Sequence, residues 1–151
     1  GNGSQWNFRP SNISPISPPA SIIRASVYTA MVDNTTVAVR RATSSGIDLW
    51  DDVGNRLGGI RIRNDGQIGV LNSLGQLATT PVGAVVGLNT WNQVAVEADF
   101  ALQTVRFFVN GFELGVPAGF GNFSATGFGD ADLYMFRAFT GTTGQAQSGG
   151  H

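Results

Sequence analysis

The stretch that decides the fold is WNQVAVEADFALQTVRFFVNG, which runs from Trp91 to Gly111. Every second residue in its two halves, 94–98 and 105–109, is apolar: Val94, Val96, Ala98, Val105, Phe107 and Val109. A tight turn at Ala101-Leu102 that pairs Asp99 with Thr104 places these apolar residues opposite one another. The same register sets Glu97 against Arg106 on the other face, and opposite charges stabilise an antiparallel pair. The stretch therefore predicts a hairpin with one buried face.

Neighbouring segments extend this pattern in both directions. Asn110-Gly111 predicts a type I′ turn, because both of its central positions need a positive φ. This turn would pair Val109 with Phe112, Phe107 with Leu114 and Val105 with Val116. Three strands then share one register and one apolar face.

An upstream meander shows the same alternation. A loop at 53–56 would pair Leu49 with Ile60 and set Asp48 against Arg61, and a loop at 64–66 would pair Ile62 with Ile68. The nearly continuous apolar segment 132–139 predicts an interior strand that is covered on both faces. No stretch has a helical period over three turns, so the predicted class is all-β.

Length and composition indicate one domain with few chemical options. The chain has 151 residues, a net charge of −1, no cysteine, and only arginine as its nine basic residues. A balanced charge gives no attraction for nucleic acid, and the residue types exclude disulfides, thiolate chemistry and lysine chemistry. No apolar run reaches the roughly 18 residues that a membrane-spanning helix needs.

Composition also divides the chain into three parts. Residues 1–21 form a Pro/Ser-rich N-terminal arm in which Trp6 and Phe8, two apart, predict a short edge strand. Residues 22–139 form the β-domain. Residues 140–151 are a Gly-rich tail with too little apolar surface to order itself.

The pattern W-x-x-V-x-V-x-x-D followed by V-x-F-x-V-N-G, within residues 91–111, resembles the centre of concanavalin A-like and laminin-G-like jelly rolls. The resemblance covers roughly residues 22–139. It implies a two-sheet antiparallel β-sandwich, an extracellular or cell-surface location, and binding of a glycan or a protein. The chain carries no signal peptide, so the location follows from the resemblance alone.

Catalysis is the main alternative, because glucanases share this fold. Their motif resembles Glu-x-Asp-x-Glu on one strand, and here Glu97-Ala98-Asp99 is followed by Ala101 at the third position. Retaining hydrolysis needs two carboxylates about 5 Å apart. The only histidine, His151, ends the chain, where nothing can orient it as a triad base. We therefore expect no enzyme, with a degenerate glucanase-like hydrolase as the alternative.

The outward face of the 46–71 meander is the predicted binding site. It carries Asp48, Trp50, Arg61 and Arg63, and the expected register places Trp50 opposite Gly59. An exposed indole flanked by arginines suits stacking on a sugar or contact with a protein partner. The alternative is that Trp50 is covered by the N-terminal arm or by a neighbouring loop.

Metal binding is a weaker expectation. Asp130 and Asp132, placed in or beside a turn, are the best candidates for a structural calcium ion. Asp51, Asp52, Asn64 and Asp65 also lie in or near predicted turns, where such side chains usually bond the backbone. No other cofactor is expected.

The end of the chain raises the question of self-assembly. Jelly rolls of this kind usually finish with a closing strand, whereas here a Gly-rich tail follows Phe139. An open sheet edge invites pairing with another chain. The alternative to a binding module is therefore a self-assembling homo-oligomer, a filament or surface layer in which the arm or tail of one protomer covers the sheet edge of the next. Against it stand two other interpretations: Trp6 and Phe8 fold back onto their own domain, or the closing strand was cut away.

Overall fold

The computed structural model describes residues 6–8, 21–31, 43–79, 85–115, 118–121 and 124–137, which form two antiparallel β-sheets. One sheet has six strands in the order β1–β11–β3–β4–β5–β6. The other has the order β10–β8–β7–β2, with β9 paired to β8. The strands are β1 (Trp6–Phe8), β2 (Ile22–Ala30), β3 (Thr43–Asp51), β4 (Arg56–Arg63), β5 (Ile68–Leu71), β6 (Leu77–Thr79), β7 (Trp91–Asp99), β8 (Thr104–Val109), β9 (Phe112–Glu113), β10 (Ala118–Gly119) and β11 (Phe128–Arg137).

The two sheets stack into a jelly-roll β-sandwich, as the sequence predicted. Their facing sides form one apolar core, in which Val94, Val96, Val105, Phe107, Val109, Ile60 and Ile62 are all buried. A hydrogen bond from Thr29 Oγ1 to Ser45 Oγ, 2.7 Å long, joins the sheets near one end. The described parts of the chain contain no helix, and hence none that could cross a membrane.

The hairpin of β7 and β8 has the predicted register. Asp99 lies opposite Thr104, Glu97 opposite Arg106 and Val94 opposite Val109. The carboxylate of Asp99 accepts hydrogen bonds from the backbone N–H groups of Ala101 and Leu102, each 2.9 Å long, and so fixes the turn. At the next turn Asn110 and Gly111 have φ values of 50° and 86°, which confirms the type I′ geometry.

The strand after that turn is shorter than predicted. Phe112 pairs with Val109 and β9 ends at Glu113, although the Leu114 N–H still donates to the Phe107 carbonyl oxygen at 2.8 Å. In β10, Ala118 lies opposite Val105, so the predicted partner of Val105 is wrong; Val116 itself lies outside the described residues. Phe112 also lies outside the core, with 77% of its surface exposed.

The meander of β3 and β4 is shifted by two residues from its predicted register. Ile47, and not Leu49, lies opposite Ile60, and Asp48 lies opposite Gly59. A two-residue shift keeps every side chain on its predicted face, because side chains alternate with period two. The next hairpin is as predicted: Ile62 pairs with Ile68, and Gly66 has a φ of 80°.

The last described strand, β11, lies between β3 on one side and β1 on the other. Asp132 and Tyr134 are only half-buried on its outward side, so the prediction of a strand covered on both faces is wrong there. Trp6 lies opposite Leu133 and Phe8 opposite Ala131. The arm of the chain thus pairs with residues 131–133 of its own sheet, which agrees with the alternative that Trp6 and Phe8 fold back onto their own domain. The prediction of a homo-oligomer stays untested. The predicted tail at 140–151 and residues 138–139 lie outside the described residues.

Candidate functional site

The outward side of the six-stranded sheet carries charged and aromatic side chains at its centre. Three rows cross β11, β3 and β4 there: Asp130–Trp50–Arg56, Asp132–Asp48–Gly59 and Tyr134–Gly46–Arg61. The side chains of these rows are called the polar face below. They are Asp48, Trp50, Arg56, Arg61, Asp130, Asp132 and Tyr134.

Asp48 and Arg61 form a buried ion pair at the base of the polar face. Their side chains are only 4% and 6% exposed, and Arg61 Nη2 lies 2.6 Å from the Asp48 carboxylate. Arg61 Nη1 also donates to the carbonyl oxygens of Ile60, at 3.0 Å, and Ile47, at 3.2 Å. The sequence predicted that Asp48 and Arg61 lie directly opposite each other. They are diagonal neighbours instead, because Arg61 lies opposite Gly46. Both residues were expected to contact a ligand on the outward face. Because they are buried, they instead hold the neighbouring side chains in place.

Asp48 also holds a second guanidinium, and each guanidinium lies on an aromatic ring. Arg56 Nη2 is 3.4 Å from Asp48 Oδ2, and Arg56 Cζ lies 4.7 Å from the centroid of the Trp50 ring. Arg61 Cζ lies 3.9 Å from the centroid of the Tyr134 ring. These are cation–π distances. Trp50 and Tyr134 are half-buried, so each ring keeps some exposed surface while its orientation is fixed.

A β-bulge and a glycine make this arrangement possible. Leu49 pairs with Gly58 and Trp50 with Arg56, so Leu57 is an extra residue on β4 and Arg56 faces the same way as Trp50. The prediction that Trp50 lies opposite Gly59 is therefore wrong. Gly59 lies opposite Asp48, and a Cβ atom there would overlap the Asp48 carboxylate. Only glycine leaves room for that carboxylate.

Acidic side chains line the β11 side of the polar face. Asp132 lies directly opposite Asp48, an arrangement of like charges that weakens a sheet. Asp130 lies opposite Trp50, and its Oδ1 atom is buried and has no hydrogen-bond partner among the described residues. Both aspartates lie on β11, after a register shift between Phe128 and Asp130, whereas the sequence placed them in or beside a turn.

Burial raises the pKa of the Tyr134 phenol above its ordinary value of 10.0, with Arg61 acting against this shift and Asp48 adding to it. The hydroxyl is therefore neutral at physiological pH and can both donate and accept a hydrogen bond. Tyr134 and Arg56 were not predicted as site residues. Side chains alternate between the two faces of a strand, so Tyr134 shares a face with Asp130 and Asp132. This alternation was the signal that could have placed Tyr134 on the polar face.

Arg63 lies on the same face, at the end of β4, but its side chain pairs with residues of the turn that follows. Its Nη2 is 2.9 Å from Asp65 Oδ2, and its Nη1 donates to Gln67 Oε1 at 3.0 Å. The side chain is 31% exposed and pairs across the loop that joins β4 to β5. The structure therefore does not bring Arg63 into the cluster around Asp48.

The described residues add no further side-chain ligands to the predicted calcium site at Asp130 and Asp132. Within the described ranges, no group of three or more acidic, histidine or cysteine side chains could hold a metal ion. Asp51 Oδ1 instead accepts from the backbone N–H groups of Val53, at 3.1 Å, and Asn55, at 2.6 Å. Calcium binding by Asp130 and Asp132 stays a prediction.

The remaining candidate site residues lie on the outward side of the sheet formed by β10, β8, β7 and β2. Glu97 is paired with Arg106 and lies 3.8 Å from Arg24, which confirms the predicted ion pair. Two aromatic residues that the sequence analysis did not single out are well exposed there, Tyr28 at 63% and Trp91 at 71%. Tyr28 lies opposite Gln93 and Trp91 opposite Ala30, so they are diagonal neighbours on one face.

Several solved structures share this fold. The CBM40 module of the Ruminococcus gnavus IT-sialidase, bound to α2,3-sialyllactose, has a TM-score of 0.54 at 16% identity, over 89% of this chain and 80% of that chain. A tetrameric galectin from the sponge Cinachyrella sp. has a TM-score of 0.55 at 10% identity, over 89% of each chain. The leech intramolecular trans-sialidase scores 0.52 at 19% identity, over 89% of this chain and 22% of that one.

These similarities show that the chain shares the jelly-roll β-sandwich fold of these proteins, and at such identities they show the fold alone. No protein-family model matches the sequence, and no curated protein matches it.

Proposed function

We propose that this chain is a non-catalytic glycan-binding module that holds its ligand on the polar face. One observation carries the proposal: Trp50 and Tyr134 are both partly exposed, and each ring lies against an arginine that Asp48 anchors. Two fixed aromatic rings beside hydrogen-bonding carboxylates are what a sugar requires, since a sugar has apolar C–H surfaces and hydroxyl groups.

The rigidity of the polar face favours binding. A ligand that contacts immobile side chains avoids the cost of ordering them, about 0.5–1.5 kcal/mol for each side chain. Arg61 makes hydrogen bonds to Asp48 and to two backbone carbonyls, so the ring of Tyr134 lies on a fixed support. Asp130, opposite Trp50, adds a carboxylate at the β11 side of the same face.

The structural neighbours support the ligand class. The R. gnavus module was solved with sialyllactose, and the sponge protein is a galectin. We also propose an extracellular or cell-surface location, where glycans are displayed. Fractionation of the source cells with an antibody to this chain tests it, and a signal confined to the soluble interior would overturn it.

The absence of catalysis is part of the proposal. The carboxylate of Glu97 is held by Arg106 and lies near Arg24, while Asp99 bonds two N–H groups of its own turn. Neither is arranged as the general acid that glycoside hydrolysis needs. Incubation with β-glucans is expected to release no reducing sugar; release that Glu97→Gln abolishes, in a folded protein, would show an enzyme instead.

We expect Trp50→Ala to weaken glycan binding by about tenfold or more, because a buried aromatic contact is worth at least ~1.4 kcal/mol. The probe is a panel of oligosaccharides that includes lactose and α2,3-sialyllactose, followed by calorimetry with the glycan that binds best. Trp91→Ala is the matched control, since Trp91 is exposed on the opposite sheet, and it should leave affinity unchanged.

Circular dichroism and thermal unfolding establish that both variants are folded. If Trp91→Ala abolishes binding and Trp50→Ala does not, the ligand lies on the outer face of the five-stranded sheet and the assignment to the polar face is wrong. If the unmodified chain binds no glycan in the panel, the proposed function itself is wrong.

A further inference from the structure

We infer that the outward side of the five-stranded sheet is the interface of a homodimer, in which two copies of this chain stack face to face about a two-fold axis parallel to the strands. This side of β2, β7, β8 and β9 is called the back face below, and its main side chains are Arg24, Tyr28, Trp91, Glu97, Arg106 and Glu113. The polar face belongs to the other sheet, so the dimer leaves it uncovered in both copies. The inference does not depend on the proposed function.

The charged side chains of the back face form a row of alternating sign across four neighbouring strands. Arg24 on β2 lies opposite Glu97 on β7, and Glu97 lies opposite Arg106 on β8. Glu113 on β9 follows, with its Oε2 atom 4.0 Å from Arg106 Nη1. Asp99, which shares this side of β7, bonds the N–H groups of its own turn. The row therefore has a positive charge at one end and a negative charge at the other.

Such a row is complementary to its own reverse. A two-fold axis parallel to the strands reverses the strand order in the second copy, so that β2 faces β9 and β7 faces β8. Arg24 of each copy then faces Glu113 of the other, and Glu97 faces Arg106. An axis along the row would instead place Arg24 on Arg24 and Glu97 on Glu97, and like charges oppose association. The charges thus select one of the two face-to-face arrangements.

The side chains at the two ends of the row are available for these contacts. The Arg24 side chain is 40% exposed and the Glu113 side chain 37%, whereas Glu97 is 12% exposed. Arg24 is also held in place, because its Cζ atom lies 4.0 Å from the centroid of the Phe108 ring. A side chain whose orientation is already fixed loses less entropy on association.

The same axis brings exposed aromatic residues together at one end of the back face. Trp91 begins β7 and is 71% exposed. Two hydrogen bonds between Gln93 and Asn110 place the turn after β8 beside this end of β7. Because β7 faces β8 of the second copy, Trp91 faces the turn of that copy, which carries the exposed ring of Phe112. Aromatic residues and arginine are enriched in protein interfaces.

The size of the back face fits a reversible dimer. β2 and β7 have nine residues each. Four strands about 4.8 Å apart, with ~3.3 Å per residue, span at most roughly 20 by 30 Å. The dimer would cover about 600 Å² on each copy, less than the roughly 800 Å² per partner of a standard stable complex. We therefore expect a dissociation constant on the order of 10 µM.

Sedimentation velocity of the full chain, at concentrations from about 1 to 500 µM, tests the inference. We expect a reversible equilibrium of monomer and dimer without larger species, because a two-fold interface is closed. Trp91→Ala should raise the dissociation constant at least about tenfold. Leu74→Ala is the matched control, since Leu74 is also 71% exposed but lies in the loop between β5 and β6 of the other sheet. A monomer at every concentration, open-ended polymers, or equal effects of the two variants would overturn the inference.

A charge exchange tests the direction of the axis. Arg24→Glu and Glu113→Arg should each weaken the homodimer by about tenfold or more, because each variant places like charges in contact. An equimolar mixture of the two variants should form a heterodimer, because both contacts then pair opposite charges. Circular dichroism establishes that each variant is folded; if Arg24→Glu does not fold beside Glu97, the comparison of Trp91→Ala with Leu74→Ala still decides. Two folded variants that stay monomeric when mixed, or that dimerise as well as the unmodified chain, would contradict the arrangement.

Discussion

Replacement of Arg61 by methionine is expected to lower the free energy of unfolding by about 3–5 kcal/mol, the usual result of removing one partner of a buried ion pair. Asp48 would remain in a site where its side chain is only 4% exposed, with Arg56 at 3.4 Å as its closest remaining cation. The carbonyl oxygens of Ile47 and Ile60 would each lose a charged donor. Chemical denaturation monitored by circular dichroism measures the change.

Arg63→Met is the matched control for this experiment. Arg63 lies on the same strand and face, but its side chain is 31% exposed and its partner, Asp65, is 35% exposed. An exposed ion pair contributes about 0–1 kcal/mol, so this variant should remain close to the unmodified protein. Equal losses for the two variants would show that Asp48 and Arg61 are not a buried pair, and would remove the support on which the polar face depends.

Replacement of Phe107 by alanine is expected to lower the free energy of unfolding by about 3–5 kcal/mol, the range for a buried phenylalanine. Phe107 is 5% exposed and lies between the sheets, where its Cζ and Cε1 atoms would be 3.2 and 3.3 Å from a Cβ atom on Gly58. Since Gly58 has no side chain that could move into the space, the cavity left by the ring cannot be filled from that side. Denaturant unfolding again provides the measurement.

Phe112→Ala is the control for Phe107→Ala, because it removes the same side chain from an exposed position. Phe112 is five residues further along the chain, in the paired strand β9, but 77% of its surface is exposed. A surface substitution of this kind usually changes stability by no more than about 0.5 kcal/mol. A loss similar to that of Phe107→Ala would mean that Phe112 belongs to the core, as its alternation with Leu114 had predicted.

The parts of the fold that were predicted correctly are those in which short turns fix the register. The two-residue turn at Asn110-Gly111 and the three-residue loop at 64–66 each allow one pairing that keeps apolar residues together, and both pairings are present. The loop between β3 and β4 is longer and is followed by a bulge at Leu57, which the alternation of side chains does not reveal. Because the resulting shift is two residues, the faces were predicted correctly and the partners were not.

The candidate site was predicted less completely, for reasons that lie in tertiary packing. Arg56 was assigned to a loop, and Tyr134 to an apolar strand covered on both faces, so neither was considered as a partner of Asp48 and Trp50. The burial of Asp48 and Arg61 depends on the aromatic rings and on Gly59, which belong to three different strands. A pattern along one strand cannot show which charged side chain will be covered by a neighbouring strand.

Glycan binding on the polar face is the central claim, and the most direct test is backbone amide NMR during titration with the oligosaccharide of the panel that binds best. We predict saturable shifts clustered in three segments: 46–50 on β3, 56–61 on β4 and 130–134 on β11. The amide chemical shifts of Tyr28 on β2 and Trp91 on β7 should not change. Shifts confined to β2 and β7, or no saturable shift with any glycan, would contradict the account.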